Sequence, residues 1–166
     1  MMNNKTIHTL SVYVSNKPGV LARIAQTFSR RGYNIESLVV SSAMDGNFSR
    51  MTIGVSGAEE GLEQIIKQCA KLVDVLHCTD HTFDDAVVKE MGLVKIVVGA
   101  EGRGEALQIA EHFGCKTVDL TDESMMLQVV GDPAKIDALM GMLQKFKLIE
   151  VVRTGKVLMS RGAETT

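Results

Sequence analysis

The feature that most constrains this chain is that one order of apolar runs and breaks occurs twice. In the first half Leu10, Val12 and Val14 alternate with more polar neighbours across residues 9–14, the two-residue period of a strand with one buried face. Ser15-Asn16-Lys17-Pro18-Gly19 interrupts the run. Pro18 disfavours helix in the residue before it, and Gly19 permits a tight backbone path. Val20, Leu21, Ile24, Ala25 and Phe28 then share one helical face, Arg23, Gln26 and Arg30 turn away, and Gly32 stands where a helix-ending glycine belongs. Strands are predicted over 35–42 and 49–56, around a hairpin turn at Met44-Asp45-Gly46-Asn47. A second helix is predicted over 58–72 and a fourth strand over 73–78. The order β-α-β-β-α-β belongs to a ferredoxin-like unit, with two helices on one face of an antiparallel sheet.

The second half repeats the order. It reads as a strand over 93–98, a turn at Glu101-Gly102-Arg103-Gly104 and a short helix over 105–113 ending at Gly114. Strands follow over 116–120 and 124–130, then a helix from Asp132-Pro133 to about Lys145, with Pro allowed in the first turn. The last strand spans 148–152, and residues 156–160 extend it. Lys71-Leu72-Val73-Asp74-Val75 parallels Lys147-Leu148-Ile149-Glu150-Val151, and the stretch after Gly32 parallels the stretch after Gly114. The fold class expected is therefore α+β, two ferredoxin-like βαββαβ domains, 1–82 and 83–166. The mixed, charged stretch 82–92 between them reads as a linker or a short helix.

Composition narrows the function. The chain has 166 residues, so each half has only about half that length and buries a smaller fraction of its surface than a larger domain would. The halves are expected to pack on each other or on another chain. A net charge of −2 argues against binding nucleic acid through a general basic surface. No apolar run approaches a membrane span and residues 1–8 are polar, which points to the cytoplasm, or to an organelle after loss of a transit peptide. The odd number and wide spacing of Cys69, Cys78 and Cys115 do not suggest a disulfide framework.

Catalytic constellations are not evident. There is no phosphate-binding loop, dinucleotide fingerprint, nucleophile elbow or zinc helix. His8, His77, His81 and His112 are scattered. His77-Cys78-Thr79-Asp80-His81 has ligand types for a metal, but strand alternation would point His77 and Cys78 to opposite faces. Asp84-Asp85 has ligand types for Mg²⁺ but reads more readily as a solvated acidic pair. No catalytic or metal-binding residue is assigned.

The loop Asn16-Lys17-Pro18-Gly19-Val20 is more informative. A helix start presents unpaired N–H groups and partial positive charge, and Gly19 lets a ligand approach the backbone. Asn16 adds an amide that can donate to a carboxylate or accept from an ammonium. The loop is either a seat for a free amino acid or a plain strand-to-helix turn. Asn34-Ile35 is likewise either a turn or, in a side-by-side dimer, the part that faces the neighbour's first loop.

At these residues the chain resembles an ACT domain, an amino-acid-sensing ferredoxin-like module, through Asn16-x-Pro18-Gly19-Val20-Leu21. The run Phe28-Ser29-Arg30-Arg31-Gly32-Tyr33-Asn34-Ile35-Glu36-Ser37-Leu38 is more specific. With Ser49-Arg50-Met51-Thr52-Ile53, Lys71 to Val75, Leu93 to Ile96, and Arg153 to Gly162, it resembles the acetolactate synthase (acetohydroxyacid synthase) small-subunit family over residues 6–162. The resemblance implies a regulatory chain, not an enzyme, that dimerises through its ACT domain and binds valine through Asn16, Gly19, Val20, Asn34 and Ile35. It implies a catalytic large subunit as partner, using thiamine diphosphate, Mg²⁺ and FAD to make 2-acetolactate or 2-aceto-2-hydroxybutyrate. No cofactor is implied on this chain. Lys17-Pro18 replaces positions that vary among relatives, which bears on effector preference. The alternatives are a stand-alone ACT sensor acting on another enzyme or on transcription, which the lack of a helix-turn-helix or basic patch disfavours, and an enzyme with a cleft between the halves.

Overall fold

The computed structural model describes residues 6–166; the first five residues of the polar start lie outside them. The chain divides into two compact units. The first runs to Val87 and takes back residues 156–166, and the second is Val88–Gly155.

In the first unit the elements are β1 (Ile7–Ser15), α1 (Val20–Ser29), β2 (Asn34–Ser42), β3 (Phe48–Ser56), α2 (Leu62–Ala70) and β4 (Val75–Asp80). The sheet order is β2-β3-β1-β4, and its pairings are antiparallel. This is the ferredoxin-like order that the apolar pattern predicts. Leu10, Val12 and Val14 of β1 and Met51, Ile53 and Val55 of β3 face the helices and are buried with Val20, Ile24 and Phe28 of α1 and Leu62, Ile65 and Cys69 of α2. Burying one such side chain stabilises by roughly 1.5–3 kcal/mol, so the sheet–helix seam fixes the unit. The second helix is shorter than its apolar period, because Glu59–Gly61 is a 3-10 turn that leads into it. The fourth strand starts later than predicted: Leu72, Val73 and Asp74 form the turn, and Val73 is fully exposed.

The second unit carries most of β5 (Ala86–Val97), then α3 (Ala100–His112), β6 (Lys116–Leu120), β7 (Ser124–Gly131), α4 (Pro133–Leu143) and β8 (Lys147–Arg153), in sheet order β6-β7-β5-β8. Val94, Ile96, Met125, Leu127 and Val129 pack under Ala106, Ile109, Ile136, Leu139 and Leu143.

Around the start of the second unit, too, local expectations change. The stretch 82–92 is not a linker or a helix from residue 86 on, but the first part of the long strand β5. Its inward positions include Glu90 and Gly92, which hide the apolar alternation. Glu90 is accepted there because Arg153 grips it, and Gly92 because Val129 and Ile136 fill the space beside it. Glu101 to Gly104 is not a turn but the opening of α3. Gly102 lets Phe146 and Val98 approach the helix, with a Cβ position 3.2 Å and 3.3 Å from their carbons, and Arg103 ties the helix to the carbonyls of Thr121 and Asp122.

Residues 156–160 do not extend β8. They contain a separate strand, β9 (Val157–Ser160), in the segment that returns to the first unit. That segment is held by Arg161 on Asp85 at 3.1 Å and by Arg50, which donates to the Thr166 carbonyl. Among the described residues no helix is long and apolar enough to cross a membrane.

Candidate functional site

Gly19 is the N-cap of α1 and holds φ 83° and ψ −8°. That left-handed conformation is disfavoured for residues with a Cβ, so the glycine is required by the backbone itself. It supplies no side-chain cap. The amides of Leu21 and Ala22 in the first turn take no protein acceptor among the described residues, and both residues are exposed. The loop therefore offers solvent two backbone donors at the positive end of a helix dipole.

Asn16 is held beside this turn. Its backbone N–H donates to the Asn47 carbonyl at 2.8 Å and its side-chain amide donates to the Gly46 carbonyl at 3.0 Å. The β2–β3 hairpin thus orients Asn16 and leaves its Oδ1 as an acceptor. Val20 turns its side chain into the core, so only its backbone can serve a ligand.

Asn34 opens β2 and is exposed. Its amide donates to Glu36 Oε1 at 2.8 Å, and the Ser56 hydroxyl donates to the same carboxylate oxygen. Ile35 pairs with Val55 and packs against the core. The two groups of predicted residues do not meet within one chain. Asn34 pairs with Ser56, which pairs with Ile7 at the start of β1, whereas Asn16 follows Ser15, which pairs with Phe48 at the end of β1. The strand has nine residues, and roughly 3.3 Å per residue puts about 26 Å between its ends.

Two residues not singled out as site residues complete the loop. Asp74 receives Lys17 Nζ at 3.3 Å and Arg23 Nη2, and its carbonyl accepts the Ser15 amide at 2.8 Å. Partial burial raises its pKa, but hydrogen bonds from Lys17 and Arg23 and their charges outweigh this and hold it below the usual carboxylate range. The available signal was Arg23 itself: a cation in the first turn of a helix opposes the dipole and needs an acid from elsewhere.

The other candidates separate. Register places His77 beside Tyr13 and Cys78 beside Val12, on opposite faces of the sheet. His77 stacks on Tyr13 at 5.5 Å, and burial followed by the charges of Arg50 and His81 lowers its pKa. No group of three or more His, Cys, Asp or Glu among the described residues is placed to hold a metal ion.

Comparison with known proteins bears on the fold and the family of the chain. Residues 10–77 match the family model of the AHAS small subunit-like ACT domain, and residues 89–162 match that of the small subunit of acetolactate synthase. The acetolactate synthase small subunit of Mycolicibacterium smegmatis is 41% identical over 162 residues, which is 98% of this chain and 95% of the relative. A probable acetolactate synthase small subunit of Archaeoglobus fulgidus is 41% identical over 155 residues, 93% of this chain and 97% of the relative. The crystal structure of the small subunit from Thermotoga maritima superposes with a TM-score of 0.83 at 35% identity, over 95% of this chain and 99% of that one. With two ferredoxin-like units and an ACT domain as the first, this chain belongs to the acetolactate synthase small-subunit family, the regulatory chains of that enzyme.

Proposed function

We propose that this chain activates the catalytic subunit of acetolactate synthase and makes it sensitive to valine, acting in the cytoplasm as a homodimer joined through its ACT domains. Thiamine diphosphate, Mg²⁺ and FAD then belong to the catalytic partner, which carries the chemistry, and this chain contributes none.

The observation that carries the reading is the separation of Asn16 from Asn34 across a sheet whose β2 edge, among the described residues, has no partner strand. An antiparallel, two-fold pairing of β2 with its copy would set the Asn34 end of one strand beside the Ser42 end of the other. The Ser42 end leads into the hairpin that holds Asn16. Two equivalent sites would form, each with Asn16, Gly19 and Val20 from one chain and Asn34 and Ile35 from its partner. Such a site responds to how the two chains sit together. That is what a sensor needs if binding is to favour one arrangement over another. The exposed amides of α1 and the acceptor on Asn16 suit the carboxylate and ammonium of a free amino acid.

The test is an assay of 2-acetolactate formation from pyruvate. The purified chain alone should give none, should raise the rate of the catalytic subunit when added, and should make that rate fall on addition of valine. Failure to stimulate a matched catalytic subunit would sink the first part of the proposal. Stimulation without any response to valine would sink the second.

A further inference from the structure

The first turn of α1 is electrostatically unusual. Helix starts favour acids, yet α1 has no acidic residue in its first turn. It carries Arg23 instead, with Lys17 just ahead of it. Among the described residues the one carboxylate paired with these cations is Asp74, brought in by the turn before β4. Two cations therefore meet one anion, and the unpaired amides of Leu21 and Ala22 add to the positive side.

Asp74 engages the guanidinium through Nη2. The other terminal nitrogen, Nη1, stands over Gly19, 3.5 Å from where a Cβ would be. A guanidinium is planar, so a bond through one terminal nitrogen restricts where the other can point. Nη1 thus lies against the bare Cα face of Gly19, on the side of the proposed seat.

We propose that Arg23 is a specificity-determining residue that receives the α-carboxylate of the effector, and that Asp74 positions it. This rests on the reading of the loop as an amino-acid seat. Asp74 holds one side of the fork, the ligand carboxylate takes the other, and the excess positive charge of the loop is neutralised when the ligand arrives. Lys at position 23 keeps the charge but loses the fixed fork. Removing the carboxylate from Asp74 leaves the guanidinium present but unaimed.

The experiment is calorimetric titration of the full chain with L-valine and with L-valinamide, which lacks the carboxylate charge. The wild type should bind valine at least about tenfold more tightly than valinamide, as expected for one charge-assisted contact. Arg23→Gln should weaken valine by about tenfold, leave valinamide unchanged and so remove the discrimination. Asp74→Asn should fall between wild type and Arg23→Gln. Should Arg23→Gln melt early, Arg23→Lys serves in its place, with an expected partial loss for valine only. Equal binding of valine by wild type and these variants, or equal weakening of both ligands, overturns the inference and leaves the loop as the seat. A wild-type chain that binds neither ligand overturns the seat itself, and the inference with it.

Discussion

Glu90 and Arg153 grip each other with two parallel hydrogen bonds, Arg153 Nε to Oε1 at 2.6 Å and Nη2 to Oε2 at 2.9 Å. The Glu90 side chain is only 5% exposed, so the pair sits at the edge of the second unit's interior. These bonds, with a further one to Asp137 at 2.6 Å, hold the Arg153 pKa above its already high value against partial burial. Glu90→Ala leaves a partly buried cation without its main partner and should lower stability by about 2–4 kcal/mol. Asp137 is mostly exposed, and Asp137→Ala should cost under about 1 kcal/mol. Urea unfolding of the two variants checks the contrast. Equal effects would mean that the paired geometry of Glu90 does not matter.

Tyr33 lies over the backbone of Gly57 so closely that a Cβ there would overlap the ring, and its hydroxyl donates to the Ala58 carbonyl. Gly57→Ala should therefore displace the ring at a cost of about 1–3 kcal/mol. The residue after Tyr33 is Asn34, so the same substitution should shift where Asn34 leaves the sheet. In a Tyr33→Ala background Gly57→Ala should cost much less, because the clash is gone. Additive losses in that double-mutant cycle would place the strain elsewhere.

These two contacts show why parts of the fold were legible and others were not. The first unit was readable because Leu10, Val12 and Val14, then Ile24 and Phe28, keep strict periods with no charged residue on the inner face. The start of β5 was not, because Glu90 and Gly92 occupy inward positions and only a partner 63 residues away makes the glutamate acceptable. The opening of α3 looked like a turn because two glycines flank Arg103, and Gly102 is used for close packing against Phe146. For the candidate site, the loop at Gly19 was visible from its residue types. Asp74 was not, because nothing local links it to Lys17 and Arg23.

Acid should release the Asp74 clamp. Its folded pKa lies below the ordinary value, so the clamp contributes stability that is fully present above the unfolded pKa of about 3.9 and is lost as pH falls through the folded value. The stability gap between wild type and Asp74→Asn should be constant from neutral pH down to about pH 5 and close below about pH 4. Thermal melts of both proteins across this range measure it. A gap that is unchanged at pH 3, or that opens only on acidification, would show that Asp74 does not hold the loop by charge.

The separation of Asn16 from Asn34 gives the sharpest prediction about assembly. Asn16→Ala and Asn34→Ala should each abolish valine binding in the homodimer, since every site then lacks one contributor. A mixed dimer is different. One of its sites takes Asn16 and Asn34 from the two wild-type positions, and the other takes both substituted residues. Mixing the two variants under conditions that exchange chains should therefore restore valine binding to about a quarter of all sites, because half of randomly re-formed dimers are mixed and one site in each is intact. Calorimetric titration of the mixture against each variant alone reads this directly. If exchange is confirmed by mass spectrometry and no binding returns, Asn16 and Asn34 do not share a ligand across the two-fold, and the composite site is wrong.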